Sequence, residues 1–322
     1  PGKVRAIRLP ENSGGCGGEP RNQGVKVARG RYVMFLDSDD TLEPNACRNM
    51  VEAGDRTGAD LVSGLCVRVH TDSRHGKRVL WYPWLYRSTR TLESVAELPD
   101  LFVFDTLSTN KCYRRDFLLD NDLTFPPRGI HYEDLLFSAQ AYLAARRITL
   151  IPNTVYFWKV VQKSATKSIS NRRGEIRNFA DRVEIHRRID ALLQQRGGED
   201  ELKLRKDIKF LKHDLVLYFR ELPFLDDDYR HRFAELARPY VQTFSDAAYA
   251  ELDRVHAICA QLLLREDWTD LMPAIDTLIN RNKISAPLVE RDGRIYWTDR
   301  YLDDPEMRSV LDVTTLATTP SS

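Results

Sequence analysis

The sequence has few cysteines, no long apolar run and no excess of one charge sign. Its 322 residues include five cysteines, which are scattered and never form a Cys-x-x-Cys pair. That pattern excludes a zinc ribbon or a disulfide framework and favours a reducing compartment. No apolar run approaches the roughly 18 residues that a membrane-spanning helix needs. We therefore predict a cytoplasmic protein with no transmembrane segment, for which attachment to the inner face of the membrane is the alternative.

The charge is balanced, because the chain contains 48 Lys and Arg residues and 47 Asp and Glu residues, which gives a net charge of +1. A protein dedicated to nucleic-acid binding usually carries a basic excess, so we expect no nucleic-acid partner. Hydrophobic residues make up 42% of the chain, which excludes disorder for most of it. At about 100–200 residues per domain, the length predicts two domains.

Strands and helices are predicted to alternate in the first half. Alternating apolar and polar residues over 4–9 predict a short strand. The apolar run Tyr32–Leu36 predicts a strand buried on both faces, and another strand follows over 61–65. Helices are predicted over Arg21–Arg29 and from Pro44. This rhythm is typical of an α/β protein with a mostly parallel sheet.

The second half is predicted to be mainly helical. Two apolar stripes, Ile176 to Leu193 and Leu204 to Tyr218, flank Gly197-Gly198 and predict a helical hairpin. A third helical stretch covers 247–264, and residues 291–294 predict the turn of a β-hairpin.

We accordingly divide the chain into three regions. Residues 1–172 form the α/β domain, 173–285 form a helical accessory region, and 286–322 form a β-like segment that ends in a linker rich in Thr, Ser and Pro.

Three carboxylates follow the strand predicted at Tyr32–Leu36, namely Asp37, Asp39 and Asp40. In open α/β sheets, ligands bind beyond the carboxyl ends of the strands. Clustered carboxylates repel one another unless a cation lies among them, and such oxygen ligands suit Mg²⁺ or Mn²⁺ carrying a phosphorylated substrate. The alternative is a turn that caps the next helix.

Two other segments carry candidate functional groups. A glycine-rich loop over 12–18 leads to Arg21 and Asn22, which can hydrogen-bond a base or ribose. The loop lacks the Gly-Lys-Ser/Thr of a Walker motif, and a flexible exposed loop is the alternative. Glu133 and Asp134 precede an apolar helix, where a carboxylate can act as a general base or simply favour the helix dipole.

Together these segments resemble the GT-A, family 2 glycosyltransferases. The similarity covers about residues 1–170 and is carried, in order, by Glu11-Asn12-x-Gly14, Pro20-Arg21-Asn22-x-Gly24, Ala28-x-Gly30, Tyr32-x-x-Phe35-Leu36-Asp37-x-Asp39-Asp40, Tyr132-Glu133-Asp134-x-x-Phe137, Tyr156-Phe157-Trp158 and Ser168. The remainder is similar, more loosely, to the subgroup that decorates cell-wall polymers such as wall teichoic acid.

The resemblance implies a role for each matching residue. Asp37 and Asp39 would hold the metal ion and the donor ribose-diphosphate, with Asp40 in support. Asp134 would be the base that deprotonates the acceptor hydroxyl, with Glu133 orienting the acceptor. Asn12 and Arg21 would contact the uridine, and Ser168 with Lys159 or Lys163 would meet the donor phosphates. The implied donor-binding set is therefore Asn12, Arg21, Asp37, Ser38, Asp39, Lys163 and Ser168.

The implied activity is that of an inverting, metal-dependent glycosyltransferase of the hexosyltransferase type. It would move a sugar from a nucleotide sugar, typically a UDP-sugar, to a hydroxyl of a cell-wall or surface polymer, and it is compatible with an oligomer. A polyanion-binding module without catalysis and a nucleotidyltransferase are the alternatives.

One departure from the family concerns the first residues. The family begins with a strand, a helix and a second strand that supplies an Asp to the uracil, and none of these precedes Pro1. We therefore expect the strand at Tyr32–Leu36 to have an unpaired edge, and we expect the natural protein to carry a further N-terminal piece.

Overall fold

The computed structural model describes residues 4–11, 16–71, 76–126, 129–160, 172–280, 284 and 286–318. The chain groups into two compact units. The first contains residues 1–172 and 184–202, and the second contains residues 173–183 and 203–322. The three-region division made from the sequence stays a prediction.

The first unit is built on a seven-stranded sheet with the order β1-β6-β3-β7-β2, in which β4 also pairs with β3 and β5 with β7. Its strands are β1 (Tyr32–Met34), β2 (Thr41–Leu42), β3 (Leu61–His70), β4 (Lys77–Trp81), β5 (Arg90–Leu92), β6 (Lys111–Arg114) and β7 (Ile148–Val160). The two longest strands, β3 and β7, are rich in β-branched and aromatic residues. They form the centre of the sheet and pair with each other in parallel.

The α/β class predicted from the sequence is confirmed, but the sheet is less parallel than expected. Among the described strands, only β3 and β7 pair in parallel. β1 and β3 do run in the same direction, as a strand–helix–strand rhythm requires. However, β6 lies between them and is antiparallel to both. Because β6 comes from a later part of the chain, the local rhythm cannot reveal it.

The helices of this unit are α1 (Gly18–Val27), α2 (Ala46–Thr57), α3 (Pro99–Phe104), α4 (Arg115–Asp120) and α5 (Glu133–Ala144). The two helices predicted in this part, at Arg21–Arg29 and from Pro44, correspond to α1 and α2. Helix α2 buries Ala46, Met50 and Ala53 on one face. It ends at Gly58, whose φ of 67° is the left-handed conformation that terminates many helices.

Two predicted strands differ from the structure. Residues 4–9 form no strand, and residues 4–8 are exposed, because no described strand pairs with them. The strand predicted as fully buried over Tyr32–Leu36 is limited to Tyr32–Met34 and is half-buried. Leu36 is 52% exposed. Since β1 lies at the end of the strand order, its burial is incomplete.

An aromatic cluster forms the core beneath the carboxyl end of β1. Phe125 stacks on Phe137 of α5 with ring centroids 3.9 Å apart. Phe35, which follows β1, meets both rings edge-on, at 5.3 and 5.8 Å. Tyr113 of β6 completes the cluster. These contacts hold the start of α5 near the residues that follow β1.

The helices α6 (Ile176–Arg196) and α7 (Asp200–Lys209) contribute residues to both units. The second unit adds α8 (Leu215–Phe219), α9 (Asp227–Val241), α10 (Asp246–Ala250), α11 (Arg254–Leu264), α12 (Trp268–Asn280), α13 (Pro305–Leu311), α14 (Thr314–Thr318) and the hairpin β8 (Val289–Arg291) and β9 (Arg294–Tyr296). Residues Phe210–Asp214 form a π-helical segment between α7 and α8.

The predicted helices and β-hairpin of the second half are confirmed with two changes. The apolar stripe Leu204 to Tyr218 is divided by the π-helical segment between α7 and α8. The stretch predicted as one helix over 247–264 is divided into α10 and α11, because the Asp253 side chain caps α11 by accepting the His256 N–H. In the β8–β9 turn, Asp292 and Gly293 have φ values of 54° and 72°, as a tight hairpin turn requires. Trp297 and Met307 pack into the same core as the helices. No helix in the described residues is long and apolar enough to cross a membrane.

Candidate active site

The carboxylates that follow β1 face in different directions. Asp40 is buried and accepts hydrogen bonds from the Tyr156 hydroxyl and the Lys159 N–H, both at 2.7 Å. Burial raises the pKa of Asp40, although these two donors oppose the shift. The Asp37 N–H in turn donates to the Tyr156 hydroxyl at 3.3 Å. Asp40 therefore fastens the turn to β7.

The other polar side chains of this turn remain accessible. Asp37 has 42% of its side chain exposed, and Ser38 and Asp39 are exposed. Because Asp40 alone turns inward, the remaining carboxylates are presented at the carboxyl end of β1, where a ligand can reach them.

Arg21, on the first turn of α1, joins three carboxylates. Its two terminal nitrogens lie 2.6 Å from Asp37 and 2.7 Å from Asp134, and Glu133 is 3.4 Å away. Only 11% of the Arg21 side chain is exposed, and its guanidinium lies 5.2 Å from the Phe125 ring centroid. Burial lowers the pKa of Arg21, but the charges of Asp134 and Asp37 outweigh burial and the net shift is upward.

Position 17 has to be glycine for this arrangement. A Cβ atom there would lie 2.8 Å from Cζ of Arg21, so a side chain would displace the guanidinium. The Gly17 N–H also donates to Glu133 at 2.9 Å. Gly17, at the end of the glycine-rich loop, thus leaves space for the Arg21 guanidinium and binds the Glu133 carboxylate.

Glu133 and Asp134 begin α5 after a strained residue. Tyr132 precedes them with φ of 66°, a conformation that a bulky residue rarely adopts outside constrained sites. Asp134 accepts a 2.8 Å hydrogen bond from the Ser108 hydroxyl in addition to its ion pair with Arg21. Burial and the adjacent charge of Asp134 raise the pKa of Glu133 to about 7.

A buried polar network supports the loop that carries Ser108. Asp105 pairs with Lys111 at 3.0 Å, and both side chains are almost completely buried. Asn110 donates to Asp105 at 2.9 Å, as does Ser63 at 2.7 Å. Lys111 also donates to two backbone carbonyls within the loop, those of Asp105 and Leu107. Since each of these buried groups is paired, the loop over 105–110 is held rigidly.

An open cleft of about 550 Å³ lies between α1 and β1 and reaches Asp37 and Ser38. Arg21 and Gly24 of α1 line the cleft, together with Ala28, which follows the helix. The small residues of the helix leave this space open beside the exposed carboxylates.

Of the predicted site residues, Arg21, Asp37, Glu133 and Asp134 converge on one point. Ser38 and Asp39 lie next to it. Three others, Asn12, Lys163 and Ser168, lie outside the described residues. The uridine contact predicted for Arg21 stays a prediction, and its guanidinium is engaged by carboxylates in the structure.

The sequence analysis gave no role to Ser108, and for Asn22 it predicted a hydrogen bond to a base or ribose. Ser108 binds Asp134, and Asn22 fastens the loop beneath Arg21 by a reciprocal pair of hydrogen bonds with the Phe125 backbone. Ser108 belongs to no distinctive local pattern, and the motif that contains Asn22 does not reveal its contact with Phe125. One signal for the buried network near Ser108 was available in the sequence. Asn110-Lys111 stands at the start of an apolar strand, and a lysine in a buried strand needs a buried acid as its partner.

The described residues contain no group of three His, Cys, Asp or Glu side chains arranged to hold a metal ion. Mg²⁺ usually binds one or two carboxylates and completes its coordination with water and substrate phosphates. Asp37 and Asp39, as accessible carboxylates on one turn, fit that mode and do not fit an all-protein cage.

Comparison with known proteins shows which family these motifs resemble. The model of glycosyl transferase family 2 matches residues 1–120. The poly(ribitol-phosphate) beta-N-acetylglucosaminyltransferase TarS of Staphylococcus aureus is 31% identical over 155 residues, which cover 48% of this chain and 25% of TarS. A poly(ribitol-phosphate) beta-glucosyltransferase of Bacillus spizizenii is 28% identical over 167 residues, which cover 52% of this chain and 25% of that enzyme.

The fold is similar to a solved structure as well. The crystal structure of S. aureus TarS 1–349 in complex with UDP matches with a TM-score of 0.65 and 20% identity, covering 91% of this chain and 79% of that one. The chain spans between 25% and 58% of the length of the first curated relatives that it matches. Residues 1–120 are therefore similar to glycosyl transferase family 2.

Proposed function

We propose that the protein is an inverting glycosyltransferase that moves a sugar from a nucleotide sugar to a hydroxyl of a surface polymer. The observation that carries this proposal is the bridge made by Arg21 between Asp37 and Asp134. A single displacement needs a base close to the donor-binding groups and on the other side of the sugar. Because one guanidinium binds both Asp37 and Asp134, the two carboxylates are close enough to act on the same sugar.

On the donor side, Asp37 and Asp39 would bind Mg²⁺ or Mn²⁺ together with the diphosphate, and Ser38 lies beside them. The ion would offset the charge that develops on the leaving diphosphate. The adjacent cleft between α1 and β1 offers about 550 Å³ for part of the nucleotide. Asp40 keeps the turn fixed while its exposed neighbours bind the ligand.

On the acceptor side, Asp134 would take the proton of the attacking hydroxyl. The Ser108 hydroxyl and Arg21 orient its carboxylate. Glu133, whose pKa is raised to about 7, would orient the acceptor. It is also the second candidate for the base, since a general base is most effective when its pKa lies near the working pH.

A UDP-sugar donor and a wall polymer acceptor are supported by the relatives, two of which act on poly(ribitol-phosphate) by name. The five cysteines are all free thiols, which supports a reducing compartment such as the cytoplasm. Membrane attachment and oligomer formation remain predictions of the sequence.

The test is a panel of nucleotide sugars with poly(ribitol phosphate) as acceptor, in Mn²⁺, Mg²⁺ or EDTA. We expect sugar transfer that requires the ion and that is lost in Asp134→Asn. Turnover of nucleoside triphosphates instead of nucleotide sugars would support a nucleotidyltransferase. Polymer binding without turnover of any donor would support a binding module.

A further inference from the structure

The carboxylate of Asp134 is held through one of its two oxygens. Oδ1 accepts a 2.7 Å hydrogen bond from Nη1 of Arg21 and a 2.8 Å hydrogen bond from the Ser108 hydroxyl. An ionised carboxylate has about four lone-pair sites, roughly two on each oxygen, so these two donors fill the sites of Oδ1. Oδ2 accepts no hydrogen bond from the residues that the structure describes. The oxygen that is free to take a proton is therefore Oδ2.

The two donors constrain Asp134 in different ways. Arg21 is shared, because its guanidinium also binds Asp37 at 2.6 Å and lies 3.4 Å from Glu133. A hydroxyl has a single proton to donate, and Ser108 donates it to Asp134. The terminal torsion of an Asp side chain is broad, so a contact with Arg21 alone leaves the carboxylate free to rotate. The second contact, from Ser108, fixes the plane of the carboxylate.

Ser108 itself lies in a loop whose backbone is fixed at successive residues. The four carbonyl groups of residues 105–108 each accept a hydrogen bond from a buried side chain. The donors are Lys111 for residues 105 and 107, Ser138 for residue 106 at 3.1 Å, and Tyr113 for residue 108 at 3.2 Å. A shift of the backbone at Ser108 would leave at least one of these buried groups unpaired, which is costly. The hydroxyl of Ser108 is thus presented from a fixed position.

The same loop is fastened to the helix that carries Asp134. Ser138 stands four residues after Asp134 on α5, so the two side chains lie on one face of the helix. Ser138 binds the loop at the carbonyl of residue 106, and Asp134 binds it at the Ser108 hydroxyl. Two contacts one helical turn apart fix both the distance and the angle between the loop and the start of α5.

We propose that Ser108 is a positioning residue for sugar transfer and that Oδ2 of Asp134 is the atom that takes the proton of the acceptor hydroxyl. The O–H bond breaks as the proton passes to Oδ2, and its electrons stay on the acceptor oxygen. A lone pair of that oxygen forms the bond to the anomeric carbon, while the diphosphate leaves with the electrons of its own bond to that carbon. The inference rests on the proposed function, because it assigns the reacting atom of the same base.

The proposal predicts a defect in turnover and not in donor binding. Without the Ser108 hydroxyl, Asp134 stays paired with Arg21 but its carboxylate rotates, so fewer encounters with the acceptor have the productive geometry. A misplacement of about 1 Å costs roughly 10²-fold in rate. Asp37 lies at the other terminal nitrogen of the guanidinium and keeps its contact, so the donor-binding groups are unaffected.

The first measurement compares Ser108→Ala with the unaltered protein. Thr149→Val is the matched control, because it also removes a buried hydroxyl, one that lies 2.9 Å from the Thr57 hydroxyl at the start of β7. Donor affinity is measured by titration without acceptor, and kcat is measured with poly(ribitol phosphate). We expect Ser108→Ala to lower kcat about 10–100-fold with unchanged donor affinity, and Thr149→Val to change neither.

A double-mutant cycle separates positioning from a structural role. In Asp134→Asn the amide does not take the proton, so its orientation no longer affects the rate of proton transfer. We therefore expect Ser108→Ala to change kcat by less than about twofold in the Asp134→Asn background, because residues that act as a unit are non-additive. An equal loss of kcat in both backgrounds would show that Ser108 acts through the fold and would overturn the proposal.

Tyr113→Phe keeps the proposal testable if Ser108→Ala does not fold, because it removes only the hydroxyl that holds the Ser108 carbonyl. It should lower kcat about 2–10-fold, less than Ser108→Ala because it acts through the backbone, and leave donor affinity unchanged. Unchanged kcat in either variant, or a loss confined to donor affinity, would overturn the positioning role while the proposed function stands. Absence of sugar transfer in the unaltered protein would instead refute the proposed function and the inference together.

Discussion

Replacing Arg21 by Gln should destabilise the protein, because this one cation neutralises a cluster of acids. Glu133 and Asp134 have only 13% and 21% of their side chains exposed, so water compensates little for the lost charge. Removing one partner of a buried ion pair costs about 3–5 kcal/mol. Asp37 is 42% exposed and should add little. We expect a loss of about 3 kcal/mol in the free energy of unfolding at pH 8.

The loss should shrink in acid. The pKa of Glu133 in the folded protein is raised from 4.5 to about 7. The stability linked to this group is therefore present at low pH and is lost as the pH rises through about 7. Below that pH Glu133 carries a proton and needs no counterion, so Arg21→Gln then removes only the ion pair with Asp134. We expect Arg21→Gln to cost about 2 kcal/mol at pH 5, the cost of one unpaired charged hydrogen-bonding group.

The assay is urea unfolding followed by circular dichroism between pH 5 and pH 8. Arg31→Gln is the matched control, because Arg31 pairs with Asp55 at 2.5 Å on the surface, with side chains 65% and 40% exposed. Such pairs contribute about 0–1 kcal/mol. If Arg21→Gln costs no more than Arg31→Gln, or if its cost does not grow with pH, the described charge balance is wrong. The loss of unfolding free energy in Arg21→Lys should lie between the losses in Arg21→Gln and Arg31→Gln. The reason is that a single ammonium cannot bind all the acids as a guanidinium does.

The remaining predictions concern the two acid groups and the buried network. Asp134→Asn should lower kcat about 10²–10⁴-fold while the affinity for the donor is kept; a loss confined to donor affinity would move the base to Glu133. Asp39→Ala should abolish turnover that depends on the metal ion and leave the melting temperature unchanged, since the side chain is exposed; normal activity would refute its role as a ligand. Lys111→Met should cost about 3–5 kcal/mol of stability in urea unfolding, because it leaves Asp105 buried and unpaired; a cost under 1 kcal/mol would show that water reaches the network.

The parts of the site that sequence could predict are those with local signals. The carboxylates after β1 follow an apolar run directly, and Glu133 and Asp134 stand at the head of an apolar helix. Their meeting with Arg21 is a tertiary contact that was not anticipated, because the resemblance implied a uridine contact for Arg21. The position of each acid within the turn was not predictable, since it depends on Tyr156 of β7, which is 116 residues away from Asp40 in the sequence.

The features that the sequence did not predict depend on pairing between strands that are far apart in the chain. The insertion of β6 between β1 and β3 decides that Lys111 is buried beside Asp105. Nothing in the local pattern of a four-residue strand reveals its neighbours, and lysine is normally an exposed residue. For the same reason the strand expected over 4–9 was wrong, because alternation of apolar and polar residues predicts a strand only where a partner strand is available.

Two of the strained residues in this chain have a common explanation. Tyr82 and Tyr132 both adopt positive φ, and each directly precedes an element that the buried network around Asp105 touches. Tyr82 leads into the helix that ends in Tyr86, and Tyr132 leads into Glu133 and Asp134. Backbone strain of this kind costs of order 1–3 kcal/mol per residue and persists only where surrounding contacts enforce it. The paired charges and hydrogen bonds of the network supply that enforcement, so the network supports the segment in which we assign acceptor orientation to Glu133 and proton transfer to Asp134.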